Sequence, residues 1–180
     1  QSVEQLLLQG PASLPVGSTD PGFHGALLWP GALLVAQLLA AGPSMAGLTC
    51  LELGCGTGLC SLAAAARGAS VTATDIFPLS LQLTAQAAEA QEHPDVSVGY
   101  LDLESAEPLP PADVVLAADV LYLSELTRSV ASRVAEASAR GSLVLLADSR
   151  ATHRRALTEE LSAAHGHAAA FEARTLAPSL

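Results

Sequence analysis

Lysine and asparagine are absent from this chain, isoleucine occurs once (Ile76), and aromatic residues make up only 3%. All three aliphatic and polar types have AT-rich codons, so the gap reads as a GC-rich coding bias. Each absence still excludes something. Without lysine there is no phosphate-binding Gly-Lys-Ser/Thr turn. Without aromatics the core must come from small and aliphatic side chains, and alanine alone occurs 35 times. Charged residues are scarce at 14% against 50% hydrophobic, which excludes a disordered chain, since such chains lack apolar residues to bury. Histidines 24, 93, 153, 165 and 167 show no metal spacing near an acid cluster, and three cysteines at 50, 55 and 60 fit no zinc pattern. No metal site is expected. Cys55 is read as a small packing residue and Arg150, Arg154 and Arg155 as a solvated helix face.

Long hydrophobic runs are also missing. Residues 21–51 carry no Asp, Glu, Lys or Arg, but the apolar stretch from Ala26 to Ala41 is broken by Pro30, Gly31 and Gln37. It falls short of the ~20 residues of a membrane span and is read as a buried helix. The odd count of cysteines suits reduced thiols and an intracellular, cytoplasmic location. Eighteen acids against eight arginines give a net charge of −10, which repels phosphate backbones and steers basic proteins inward. The expected partner is therefore a protein rather than nucleic acid or membrane, and the chain is expected to act as a monomer.

With 180 residues the length suits one domain. A Gly/Pro/Ser-rich N-terminal segment over 1–22 is expected to precede a domain over 23–180. Pro30 opens a helix stopped by Gly42-Pro43. From residue 48 strands and helices alternate: strands over 48–53, 70–74, 96–101, 114–118 and 143–147, helices over 59–67, 78–92, 124–139 and 152–164, and one last candidate strand over 167–175. The strands are apolar without alternation, which means a parallel sheet covered on both faces. The fold class is α/β, doubly wound, and its ligand site lies beyond the carboxyl ends of the strands.

The first strand ends in Glu52-Leu53-Gly54-Cys55-Gly56-Thr57-Gly58. Glycines there permit a sharp turn and close approach of a ligand to backbone. Leu59 stands where the dinucleotide pattern needs Gly or Ala, so that reading drops. Asp75 ends the second strand at a distance suited to ribose hydroxyls. Asp102-Leu103 ends the third and can set a polar and an apolar group beside an adenine. Ala118-Asp119-Val120-Leu121-Tyr122 ends the fourth, where Asp119 and Tyr122 form a polar mouth.

These motifs together, with Leu28-Trp29-Pro30-Gly31-Ala32 ahead of the glycine turn, resemble the seven-β-strand S-adenosylmethionine methyltransferases. Within them the chain is similar to the D-x-x-Y branch of protein-lysine methyltransferases. The resemblance covers about residues 23 to 150. It implies that Gly54, Gly56 and Gly58 cradle the methionine part of S-adenosylmethionine, with Glu52 at the base of the turn. Asp75 would hold the ribose, Asp102 and Leu103 flank the adenine, and Trp29 and Ala118 complete the cofactor side. Asp119 and Tyr122 would line the mouth for a lysine of a protein substrate; the alternatives are another acceptor (a protein arginine, a small amine or an RNA base) or a cofactor-binding interaction subunit without activity. Leu103 stands where the family often has Trp. The family's sheet also closes with an antiparallel pair, for which this chain offers one candidate strand, so either the final strand is absent or the chain is truncated.

Overall fold

The computed structural model describes residues 25–122 and 124–165. Helix α1 (Pro30–Ala41) leads into alternating elements: β1 (Thr49–Leu53), α2 (Leu59–Ala66), β2 (Ser70–Asp75), α3 (Pro78–Ala90), β3 (Val96–Tyr100), β4 (Val114–Ala118), α4 (Ser124–Ala139), β5 (Leu143–Ala147) and α5 (Ala151–His165). The expected N-terminal segment and the candidate strand over 167–175 lie outside the described residues.

The strands form one parallel sheet in the order β3-β2-β1-β4-β5. The chain winds outward from β1 to β3, then returns to the other side of β1 with β4. That reversal opens a crevice at the carboxyl ends of β1 and β4, where a doubly wound sheet binds its ligand. The α/β reading of the sequence is thus the observed architecture. Element ends differ by a residue or two. β1 starts at Thr49 because its pairing with β2 begins there, opposite Ser70, and β2 runs on through Asp75 because its pairing with β3 continues to Tyr100.

Side chains alternate between two cores, as the two-residue period of a strand demands. Leu51, Leu53, Val115 and Ala117 pack beneath α4 and α5, against Val130, Val134, Leu157 and Leu161. Cys50, Val71, Val114 and Leu116 turn the other way, toward Val35 and Leu39 of α1 and Cys60 and Ala64 of α2. With few aromatics available, layers of Ala, Val and Leu bring helices close to the sheet. Helix α3 covers β2 and β3. Among the described residues no helix is long and apolar enough to cross a membrane.

One buried arginine shapes the long connection from β3 to β4. Arg133 of α4 donates to the carbonyls of Leu103 (3.1 Å), Glu107 (2.8 Å) and Ser105, and pairs with Glu136 at 3.0 Å. The planar five-donor fork of Arg suits such a gathering of carbonyls. Replacing it leaves Glu136 half-buried with one partner fewer and frees the loop that carries Asp102 and Leu103. Arg133→Ala is expected to cost about 3 kcal/mol of folding free energy, read as a lower midpoint in urea denaturation.

Candidate functional site

Three left-handed glycines build the turn after β1. Gly54, Gly56 and Gly58 have φ of 71°, 51° and 82°, a region other L-residues enter only under strain. Space forbids side chains too. A Cβ on Gly58 would lie 2.7 Å from Thr84 Oγ1 of α3, and one on Gly56 would lie 3.1 Å from the Gly25 carbonyl oxygen. The segment leading to Trp29 and α1 therefore crosses directly over the glycine turn.

Asp75 latches that turn to β2. One carboxylate oxygen accepts the Gly56 N–H at 3.0 Å and the other the Phe77 N–H at 2.9 Å. Each oxygen keeps a second lone pair, so the buried carboxylate can still accept from a ligand's hydroxyl. Asp102 accepts from the Glu104 N–H at 2.9 Å in a tight turn. Leu103 packs against the core below α4, and Arg133 holds both in place from behind. Tyr122 is 39% exposed. Partial burial, then the charges of Asp75 and Glu104, push its phenol above the ordinary range, so it stays neutral. Asp75 ends β2 and Glu104 follows β3, so charge at these strand ends acts on Tyr122.

Two expected site residues sit elsewhere than foreseen. Glu52 was assigned to the cofactor side, but β1's alternation turns it toward α2. It is 1% exposed and accepts from the N–H of Ser61 at 2.9 Å and from its hydroxyl. Ser61 is the third residue of α2, whose N-cap Gly58 has no side chain. Glu52 thus supplies the missing cap from the sheet. Burial raises its carboxyl to about 7 against the opposing pull of these hydrogen bonds.

Asp119 was expected to emerge into the mouth. It is 7% exposed and accepts from three donors of the chain. One oxygen accepts the Gly31 N–H of α1 at 2.5 Å, and the other accepts the Ser149 N–H and hydroxyl, each at 2.7 Å. A Cβ on Gly31 would lie 2.5 Å from that carboxylate, so glycine is required there. The carboxylate acts as a staple that sets the following Val120-Leu121-Tyr122 segment. Asp119 itself has φ of 52°, strained but tolerated by Asp better than by most side chains.

A second support for this segment escaped the sequence reading. Asp148, after β5, accepts from the Leu121 N–H at 3.3 Å and pairs with Arg150 at 3.2 Å. Arg150 also donates to the Asp119 carbonyl at 3.3 Å, and Arg154 donates to the Asp148 carbonyl at 2.5 Å. Of the three arginines assigned to a solvated helix face, only Arg155 fits, at 79% side-chain exposure. The signal was available, since Asp148 follows β5 as Asp119 follows β4. Arg133 left no such signal, because nothing local distinguishes it from other helical arginines. Cys55 is buried and its thiol is pushed up by burial, then by Glu52, as suits a packing residue.

A family model described as lysine methyltransferase matches residues 19–160. Protein N-lysine methyltransferase METTL21A of Mus musculus is 30% identical over 131 residues, covering 68% of this chain and 59% of the relative. The Danio rerio protein of the same name is 33% identical over 128 residues, covering 67% and 59%. The chain therefore spans about three fifths of the length of these curated relatives. Among solved structures, the [4+2]-cyclase SpnF shares the fold, with a TM-score of 0.51 at 19% identity, over 74% of this chain and 54% of that one.

Two outcomes test the site's geometry. Asp119→Asn leaves one acceptor oxygen for three donors and is expected to lose about 2 kcal/mol of stability. Asp113→Asn, exposed at the opposite end of β4, should lose less than half as much in the same denaturation series. Glu52 sets a pH dependence. Its carboxyl is raised from 4.5 to about 7 in the folded chain, so its contribution is complete below the unfolded value and is lost as pH rises through 7. Between pH 5 and 8 the wild-type chain should therefore lose up to about 3 kcal/mol relative to Glu52→Gln; parallel stability curves for the two would contradict this.

Proposed function

This chain belongs to the lysine methyltransferase family, and from that premise we propose that it transfers a methyl group from S-adenosylmethionine to a lysine side chain of a protein. The observation that carries this reading is the glycine turn latched by Asp75 at the switch point of the sheet. The residues present fit the cofactor. Three positive-φ glycines leave bare backbone for its methionine portion, and Asp75 keeps free lone pairs for ribose hydroxyls. Asp102 and Leu103, on the loop that Arg133 holds, would flank an adenine. Trp29, half-buried at the start of α1, lies on the segment that crosses the turn, and Ala118 ends β4. Glu52 supports this arrangement from behind rather than by contact.

S-adenosylmethionine supplies, when bound, a methyl group activated by a sulfonium charge. The protein's task is orientation and exclusion of water. A lysine amine has an unperturbed pKa of ~10.4 and must shed a proton before it can act as a nucleophile. An apolar mouth favours the neutral amine. Val120 and Leu121 are buried in the core behind it, and neutral Tyr122 walls the opening without acting as a base. Asp119, held by three donors, positions this wall. The net charge of −10 suits a basic protein substrate and disfavours nucleic acid. Three free, buried cysteines favour a reducing intracellular compartment, and we take the chain to act as a monomer over 23–180.

Incubation of the protein with a cell extract and radioactive S-adenosylmethionine is expected to yield labelled methyl-lysine after acid hydrolysis. Label confined to arginine or to RNA would sink the assignment of the acceptor. Asp75→Ala removes the latch and the ribose acceptors together. It should weaken S-adenosylhomocysteine binding ~10- to 100-fold by calorimetry, equivalent to ~1–3 kcal/mol.

A further inference from the structure

The outer edge of β3 and the groove beside it take no part in the site described above. Val71 donates its N–H to the Asp95 carbonyl, and Leu101 donates to that of Asp75. The odd-numbered residues of β3 therefore turn their backbone groups toward β2. Val98 and Tyr100 aim theirs outward, and among the described residues no strand pairs with that edge. Native edges are usually blunted by charge, proline or a bulge. The β3 sequence, Val-Ser-Val-Gly-Tyr, has none of the first two, and Val98 and Tyr100 are 39% and 67% exposed.

Alongside lies a groove of about 560 Å³ between this edge and α3. Ala85 and Ala88 of α3, with Val96 and Val98 of β3, make its apolar lining, while Glu89 and Glu92 supply carboxylates. No arginine lines it. An apolar slot with two acids, beside open backbone donors and acceptors, matches an extended peptide that alternates apolar and basic side chains.

We propose that the β3 edge and this groove dock an extended, basic-apolar segment of the protein substrate as an added strand. The occupant's identity as substrate rests on the methyltransferase reading above. The strand's edge would supply main-chain hydrogen bonds, the groove would take alternate apolar side chains, and Glu89 and Glu92 would meet the basic ones. Position supports this. Tyr100 stands in register with Asp75, so the top of β3 ends at the candidate site. The four steps from Val96 to Tyr100 cover ~13 Å. A segment laid on this edge is thereby led from the groove to the carboxyl ends of the strands, where Tyr122 sits. A second copy of this chain is a poorer occupant, because two chains of charge −10 repel one another at a shared edge.

The test uses the full chain and a blocked, fluorescein-labelled peptide of alternating lysine and valine, about eight residues long. Binding is followed by fluorescence anisotropy, and hydrogen exchange of the amides is measured with and without the peptide. Slowed exchange at Val98 and Tyr100 is expected. The double variant Glu89→Arg with Glu92→Arg should bind the peptide at least ~tenfold more weakly while its affinity for S-adenosylhomocysteine stays unchanged, which controls for folding. An alternating glutamate-valine peptide should not bind. Unaltered peptide affinity in the double variant, or protection away from β3, overturns the docking surface while leaving the methyltransferase reading intact. A concentration-dependent doubling of mass that Val98→Pro abolishes would assign the edge to a second copy and also overturn it. Failure of S-adenosylhomocysteine to bind the unaltered chain would instead overturn the functional reading and the occupant's identity with it.

Discussion

The Asp119 carboxylate is buried at the end of β4 with the Gly31 N–H on one oxygen and the N–H and hydroxyl of Ser149 on the other. A buried carboxylate with no partner is very costly, and hydrogen-bond donors must replace the water it lost. Here the three donors come from two places in the chain, both far in sequence from Asp119 itself. Satisfying the charge therefore fixes α1 against the sheet, joins the ends of β4 and β5, and sets the path of the segment that carries Tyr122. Pro30, the first residue of α1, has no N–H, so Gly31 offers the helix's first free donor and its positive dipole end to the acid.

The same device recurs one layer over. The N-caps of α1 and α2 are Trp29 and Gly58, and neither makes a side-chain capping bond. Each helix is instead capped by a strand acid, Asp119 for α1 and Glu52 for α2. Asp75 plays a related part before α3 by accepting the Phe77 N–H, while its other oxygen holds the glycine turn. The acids at the strand ends thus act first as internal struts. Asp75 combines that duty with a lone pair left on each oxygen at the crevice. Burial separates their chemistry: Glu52, sealed between β1 and α2, is driven toward its neutral form.

Electrostatics and topology then divide the molecule. Arg133, Arg150 and Arg154 are spent on internal carbonyls and on Glu136 and Asp148, which leaves the outward surface dominated by acids. The sheet's order puts β3 at one edge, beside α3 with Glu89 and the following Glu92, and puts the end of that strand next to Asp75. A surface that attracts basic segments and a crevice suited to a cofactor are in this way neighbours on one strand.

Periodicity and punctuation in the sequence determined the architecture. Apolar runs of strand length, separated by helical stretches marked by an opening Pro30 or Pro78 or by a closing Gly42, Gly68 or Gly141, specify a parallel doubly wound sheet, because local propensity and burial on both faces agree. The glycine turn and Asp75 were equally legible, since a bare backbone turn at the end of a buried strand has few other uses. What each remaining acid does was decided by tertiary structure alone. Asp119 and Gly31 lie 88 positions apart, and Glu52 finds Ser61 only because strand alternation and the packing of α2 bring them together. No local pattern distinguishes an acid that faces a ligand from one that caps a helix through space. That difference depends on which donors the folded chain presents to the carboxylate after water has been removed.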